Sequence, residues 1–134
     1  MSADLFGGDS DTASVAESDL RHHRWVLKSI NGDALSENSA DAMIPELDFG
    51  EQGHVEGNTG CNRFNGMAVL RGEHFFIESM ASTARHCAPS ENELERAVLS
   101  VLHQESMISL DDKGNLTLEA GGVVLRFGLR DWVV

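Results

Sequence analysis

Gly57-Asn58-Thr59-Gly60-Cys61-Asn62-Arg63-Phe64-Asn65-Gly66 brings three glycines and three asparagines into ten residues. These two residue types enter left-handed backbone conformations that other side chains reach only with strain. The stretch therefore reads as a shaped turn or bulge between strand candidates at His54–Gly57 and Arg63–Arg71. It lacks the Gly-Lys-Ser/Thr ending of a phosphate loop, and its glycine spacing does not fit a dinucleotide fingerprint.

Outward from this segment, short strand candidates alternate with turn signals. Upstream, Trp25–Ile30 alternates and meets Asn31-Gly32, a strong turn pair, and Glu46–Gly50 follows. Downstream, His74–Glu78 is set off by Gly72-Glu73. Leu94, Ala97, Val98, Val101 and Leu102 then recur at helical spacing and predict one amphipathic helix from Glu91 to Gln104. Ser90 is the expected N-cap, with Glu93 as the returning partner of a capping box and Pro89 just outside. Met107–Leu110, Leu116–Glu119 and Val123–Arg130 follow, joined by Asp112-Lys113-Gly114-Asn115 and Gly121-Gly122, which predicts an antiparallel meander. In the last strand Val123, Leu125, Phe127 and Leu129 share one face, and Arg126 and Arg130 share the other. The expected class is α+β: a strongly curved antiparallel sheet of roughly seven or eight short strands, a partial barrel, covered by one main helix.

The chain has 134 residues, enough for one hydrophobic core. Its net charge of -12 repels phosphate backbones, which argues against a nucleic-acid partner. Five acidic residues, Asp4, Asp9, Asp11, Glu17 and Asp19, fall in the first twenty, leaving -7 over the rest. Residues 1–20 are rich in Ser, Asp, Ala and Gly without an apolar period, and are expected to form a disordered acidic tail or linker; residues 21–134 are expected to form the domain. No stretch approaches the ~18 consecutive apolar residues that span a bilayer.

Cys61 and Cys87 are the two cysteines. Two cysteines cannot complete a four-ligand zinc site, and their spacing is not that of a redox Cys-x-x-Cys motif. The residues themselves leave two readings open, a disulfide and a pair of buried thiols. A nucleophilic reading uses either cysteine with His86 or His54 as base. Adjacent residues of an extended segment point to opposite sides, so His86 is badly placed to serve Cys87. His22 and His23, beside Arg21 and Arg24, read as solvated surface with at most weak metal affinity. Ser82 and Thr83 sit in no nucleophile elbow, and their hydroxyls are expected to bond local backbone. Asn115-Leu-Thr117 matches the glycosylation triplet, a weak signal.

Trp25-Val-Leu-Lys-Ser-Ile-Asn-Gly32, Pro45-Glu-Leu-Asp-Phe49, the Gly57–Gly66 segment, and Met80-Ala-Ser-Thr83 with Cys87 ahead of a helix together resemble the META domain family, which includes the heat-inducible HslJ proteins. The resemblance runs from Arg24 to Phe127. It implies a single α+β domain, exported and often tethered to the outer membrane by a lipid, and linked to envelope stress, antibiotic tolerance or motility. It brings no catalytic residue and no cofactor or metal; a structural motif role passes to Gly60, Cys61, Asn62, Arg63, Phe64, Thr83 and Cys87. An exported address favours the Cys61–Cys87 disulfide over thiols.

The resulting expectation is a non-enzymatic, monomeric interaction or stress-response module. Its address is the bacterial periplasm or outer membrane, reached through a removed leader and lipid anchor, with the cytoplasm as the alternative. Its partner is a protein or a small ligand. Competing readings are a barrel that encloses a small apolar ligand, lipid or peptide, and a Cys/His hydrolase. Asn62 and Arg63 are expected to bond the Ala81-Ser82-Thr83 segment and hold the sheet rim closed, or else to present that rim as a recognition surface.

Overall fold

The computed structural model describes residues 15–35 and 44–130. Its sheet has nine strands, β1 (Arg24–Ile30), β2 (Asp33–Ala34), β3 (Glu46–Phe49), β4 (His54–Asn58), β5 (Arg63–Arg71), β6 (His74–Ser82), β7 (Ser106–Leu110), β8 (Asn115–Ala120) and β9 (Val123–Leu129). Neighbours pair antiparallel in the order β2-β1-β3-β4-β5-β6-β7-β8-β9, and β1 also pairs with β9. The expected partial barrel is therefore closed by eight strands, with the two-residue β2 appended to β1. Closure leaves few open edges, the usual liability of an all-antiparallel sheet.

Turn chemistry fixes the register. Asn31 and Gly32 have φ of 53° and 89° between the paired residues Ile30 and Asp33, which matches the twist a two-residue hairpin needs. The Asn31 side chain also accepts the Val124 amide at 2.8 Å, tying the hairpin to β9. β6 runs four residues past its expected end at Glu78, through a bulge with Ser79 at φ 54° opposite Asn65–Met67.

The closure has one weak seam. β6 and β7 pair only at His74–Met107 and Phe75–Ser106. The chain between them forms helix α2 (Pro89–Leu102), which packs Val98, Val101 and Leu102 into the core. (Helix α1 is Glu17–Leu20.) The N-cap of α2 is Ala88 rather than Ser90, with Pro89 inside the first turn, because the first helical position has no use for an N–H. Glu91, not Glu93, reaches back to accept the Ala88 amide at 3.1 Å.

The interior is filled by the protein's own side chains. Trp25, Leu27, Leu47, Phe64, Phe75, Ile108, Leu116, Leu118, Leu125 and Phe127 form one contiguous buried cluster with the α2 stripe. The space inside the sheet that an enclosed apolar ligand would need is thus taken by these rings and aliphatic groups.

The expected tail of residues 1–20 needs correction at its end. Val15 and Leu20 belong to the core cluster, Leu20 as the last residue of α1, and the Glu17 carboxylate accepts the Gly53 amide at 3.0 Å. Two apolar residues five apart gave no period to read, yet both find tertiary partners; residues 1–14 lie outside the described residues. Leu20→Ala should cost about 2–5 kcal/mol in chemical denaturation, as burial of a core leucine dictates. An unchanged midpoint would return Leu20 to the linker.

Candidate functional site

The Gly57–Gly66 segment forms the β4–β5 connection and packs against two other pieces of chain: the strap after β6 and the first turns of α2. Gly60 sits at φ 99°, and a Cβ there would come within 2.8 Å of Leu94 on the helix. Glycine is required twice over, by its backbone conformation and by the close approach of α2. The Asn58 side chain accepts the Gly60 amide at 2.9 Å. Thr59, fully buried, accepts the amides of Cys61 and Asn62 at 3.3 and 3.0 Å.

Asn62 is the centre of the arrangement. It is 4% exposed, and its carboxamide makes four hydrogen bonds to the strap and α2, besides a longer contact of its nitrogen with Cys61 Sγ at 3.5 Å. Its oxygen accepts the Thr83 hydroxyl at 2.8 Å and the Arg85 amide at 2.6 Å. Its nitrogen donates to Glu95 Oε2 at 2.8 Å and to the Arg85 carbonyl at 3.3 Å. Two donors and two acceptor positions are the full capacity of a carboxamide, so nothing is left unsatisfied. The Thr59 hydroxyl donates to the same Glu95 oxygen at 2.8 Å.

Cys61 and Cys87 are joined in a disulfide, with Cα atoms 6.0 Å apart. Neither sulfur is a free thiol in this bridged form. The Asn92 side chain holds the far end of the bridge, accepting the Cys87 amide at 3.3 Å and donating to its carbonyl at 2.9 Å. In the chain-entropy account, closing 26 positions stabilises the fold by about 3.5 kcal/mol through the unfolded state.

All seven residues to which the resemblance passes a motif role come to this end of the barrel, but they face different ways. Phe64 turns into the core. Thr83 clasps Arg63 through backbone and hydroxyl, the Thr83 amide donating to the Arg63 carbonyl at 3.0 Å and the Arg63 amide to Thr83 Oγ1 at 3.1 Å. Asn62 and Arg63 thus both bond Thr83 of the Ala81-Ser82-Thr83 segment, Asn62 through its side chain and Arg63 through its backbone, while the Arg63 side chain lines an outer groove. Thr59, Asn92 and Glu95 were not anticipated. A glutamate and an asparagine in an amphipathic helix look like its wet face, and only their placement beside Leu94 hints otherwise. His86 and His54 are exposed; His22 pairs with Glu51 at 2.8 Å. Among the described residues no three His, Cys, Asp or Glu side chains gather as metal ligands.

On the outer face of the same strands lies a charged groove. Arg24 Nε sits 3.2 Å from Asp48 Oδ2 and 3.4 Å from Glu46 Oε1, without hydrogen-bond geometry to the latter. Burial pushes the Glu46 carboxyl above its ordinary range, Arg24 opposes that, and Asp48 adds to it.

Fold and knot together define a small disulfide-clamped α+β barrel whose motif residues serve mainly to join strap, turn and helix. The family model of the META domain matches residues 18–132, and the chain belongs to the META domain family. It is 32% identical over 123 residues to the heat shock protein HslJ of Escherichia coli strain K12, covering 91% of this chain and 84% of that one. A solution NMR structure superposes with a TM-score of 0.75 at 31% identity, covering 90% of this chain and 99% of the other. Another, from Burkholderia xenovorans, gives 0.67 at 23% identity over 87% and 88% of the two chains, a likeness of fold.

Two predictions follow from the geometry. Asn62→Ala strands the Arg85 amide, leaves Glu95 Oε2 with the Thr59 hydroxyl alone, and should cost about 1–3 kcal/mol, whereas Arg63→Ala should stay within about 0.5 kcal/mol; urea melts that rank them the other way would refute the knot. Because folding raises the Glu46 pKa, the native state keeps that proton longer than the unfolded chain does. Its contribution to stability is present at acid pH and falls as pH rises through the raised value. Glu46→Gln should flatten this part of the stability profile between about pH 4 and neutrality, and a variant whose slope there matches the parent would dismiss Glu46 as its source.

Proposed function

We propose that this protein is a non-catalytic module of the bacterial cell envelope that contributes to stress resistance by binding a partner through its surface. The observation that carries the reading is the Cys61–Cys87 bridge across the family motif, since such a bond persists in an oxidising compartment and is rare in a reducing cytosol. The motif side chains support it as well. Asn62, Thr59, Thr83 and Asn92 spend their polar atoms on one another and on backbone, and none is left poised as nucleophile or base. The similarity to a protein named for heat shock points to stress as the setting.

Work then falls to the outer surface, with the buried knot keeping that surface in shape. The protein acts as a monomer, held at the membrane, if at all, by a lipid on its exported form.

Fractionation of the source cells and intact-mass measurement test this together. The native protein should appear in the envelope fraction, and reduction should raise its mass by two hydrogens. A strain lacking the gene should lose viability on heating and recover with the wild-type gene. Recovery of the protein from the cytosol with both thiols free would sink the proposal.

A further inference from the structure

The outward groove holds about 540 Å³ between β1, β3, β4 and β5, with Ser82 at the end of β6 and Thr83 of the strap as its far wall. Register places its charges in two rows. Glu46 pairs with Asn58, and Asn58 with Arg63, so Glu46 and Arg63 share a face two strands apart. Arg24 pairs with Asp48, Asp48 with Glu56, and Glu56 with Asn65. Adjacent strands lie ~4.8 Å apart, so the Glu46 and Arg63 backbones stand roughly 10 Å apart and their long side chains reach toward each other across the groove.

The groups in this groove are unequally engaged. Arg24 is committed to Asp48 and Glu46. Among the described residues the Arg63 guanidinium makes no ion pair or side-chain hydrogen bond, although it lies near enough to act on the Glu46 carboxyl. Glu56 meets only the His54 ring, whose Nε2 lies 3.9 Å from Glu56 Oε1, among the described residues. Glu46 Oε1 is sealed from solvent without a hydrogen bond. Within the groove's lining, Arg63 thus faces the carboxylates of Glu46 and Glu56, while Arg130, outside that lining, also acts on Glu46.

We infer that the groove is a binding site for a small zwitterion, an α-ammonium and a carboxylate a few ångströms apart, with Arg63 taking the carboxylate and Glu46 and Glu56 taking the ammonium. A simple anion would meet three carboxylates, Glu46, Asp48 and Glu56, and a simple cation would meet the unpaired guanidinium. Only a ligand with both charges answers both ends, and guanidinium recognises a carboxylate through two parallel hydrogen bonds. The site is preformed, because its wall at Thr83 is clasped to Arg63 and braced from behind by the disulfide. This inference names the ligand class for the surface-binding role proposed above and rests on it. Free amino acids and the ends of short peptides share the chemistry.

The test uses the full, oxidised chain and amide chemical shifts in a titration with glycine, glycylglycine, N-acetylglycylglycine and glycylglycinamide up to about 20 mM. At least one of the first two should saturate with shifts at Asn58, Asn65 and Ser82. Capping either end of the dipeptide should weaken its binding tenfold or more. If glycine alone binds, the site takes free amino acids; if the dipeptide alone binds, it takes peptide ends; either result supports the inference. Arg63→Ala should make acid and amide bind alike, and Glu56→Gln should narrow the difference between free and acetylated amine, with both spectra otherwise native. Absence of saturable shifts, equal binding of capped and uncapped ligands, or shifts mapping elsewhere would overturn it. Those results leave the envelope reading standing, since cell fractionation and thiol state decide that separately.

Discussion

The carboxamide of Asn62 meets three segments at one buried point: the β4–β5 turn that carries it, the strap after β6, and helix α2. The barrel wall is thin between β6 and β7, and α2, inserted between them in the chain, packs its apolar stripe into the core against β8 and β9. A helix of 14 residues gains little from propensity alone and is held by its tertiary contacts. Asn62 supplies a polar anchor and Leu94 against Gly60 an apolar one, while the disulfide limits how far the unfolded chain can wander. Because Asn62 is buried with every donor and acceptor used, the arrangement tolerates no half measures: each lost partner leaves an unsatisfied polar group in a poor solvent for it.

Electrostatics divides the molecule differently from packing. The Asp111 carboxyl, in the β7–β8 turn, is held below the usual carboxylate range by hydrogen bonds from Asn115 and the Lys113 amide, with Arg126 nearby. A group depressed in this way favours the fold above its ordinary pKa and loses that effect as pH falls. Glu46 has the opposite sign, since burial raises it. One turn therefore resists alkaline conditions better than acid, and the groove does the reverse.

Much of the fold was legible from residue patterns. Asn31-Gly32 and Gly121-Gly122 announce hairpins because few residues accept positive φ twice in succession, and the Leu94–Leu102 stripe announces the one long helix. What escaped was tertiary in origin. β2 is two residues long and exists only because β1 offers an edge. α1 is four residues long, and burial of Val15 and Leu20 against the barrel defines it better than any local signal does. The helix cap moved by two residues because Pro89 suits the first turn better than the position before it. The candidate site was half legible: the glycines, asparagines and cysteines marked where the chain must be shaped, but the roles of Thr59, Asn92 and Glu95 depend on which segments meet.

Strand alternation then gives the same short motif two separate duties. Phe64 points inward and Arg63 and Asn65 point outward, so one set of positions serves the core while its neighbours line the groove. The inward set is constrained by volume, by positive φ at Gly60 and by complete hydrogen bonding at Asn62, and each of these penalises substitution on its own. The outward set touches little that the fold requires, and a surface arginine with no ion pair can change at small cost in stability. Among the described residues the Arg63 guanidinium forms no ion pair and acts on Glu46 only from a distance, so the fold constrains this position far less than it does Asn62.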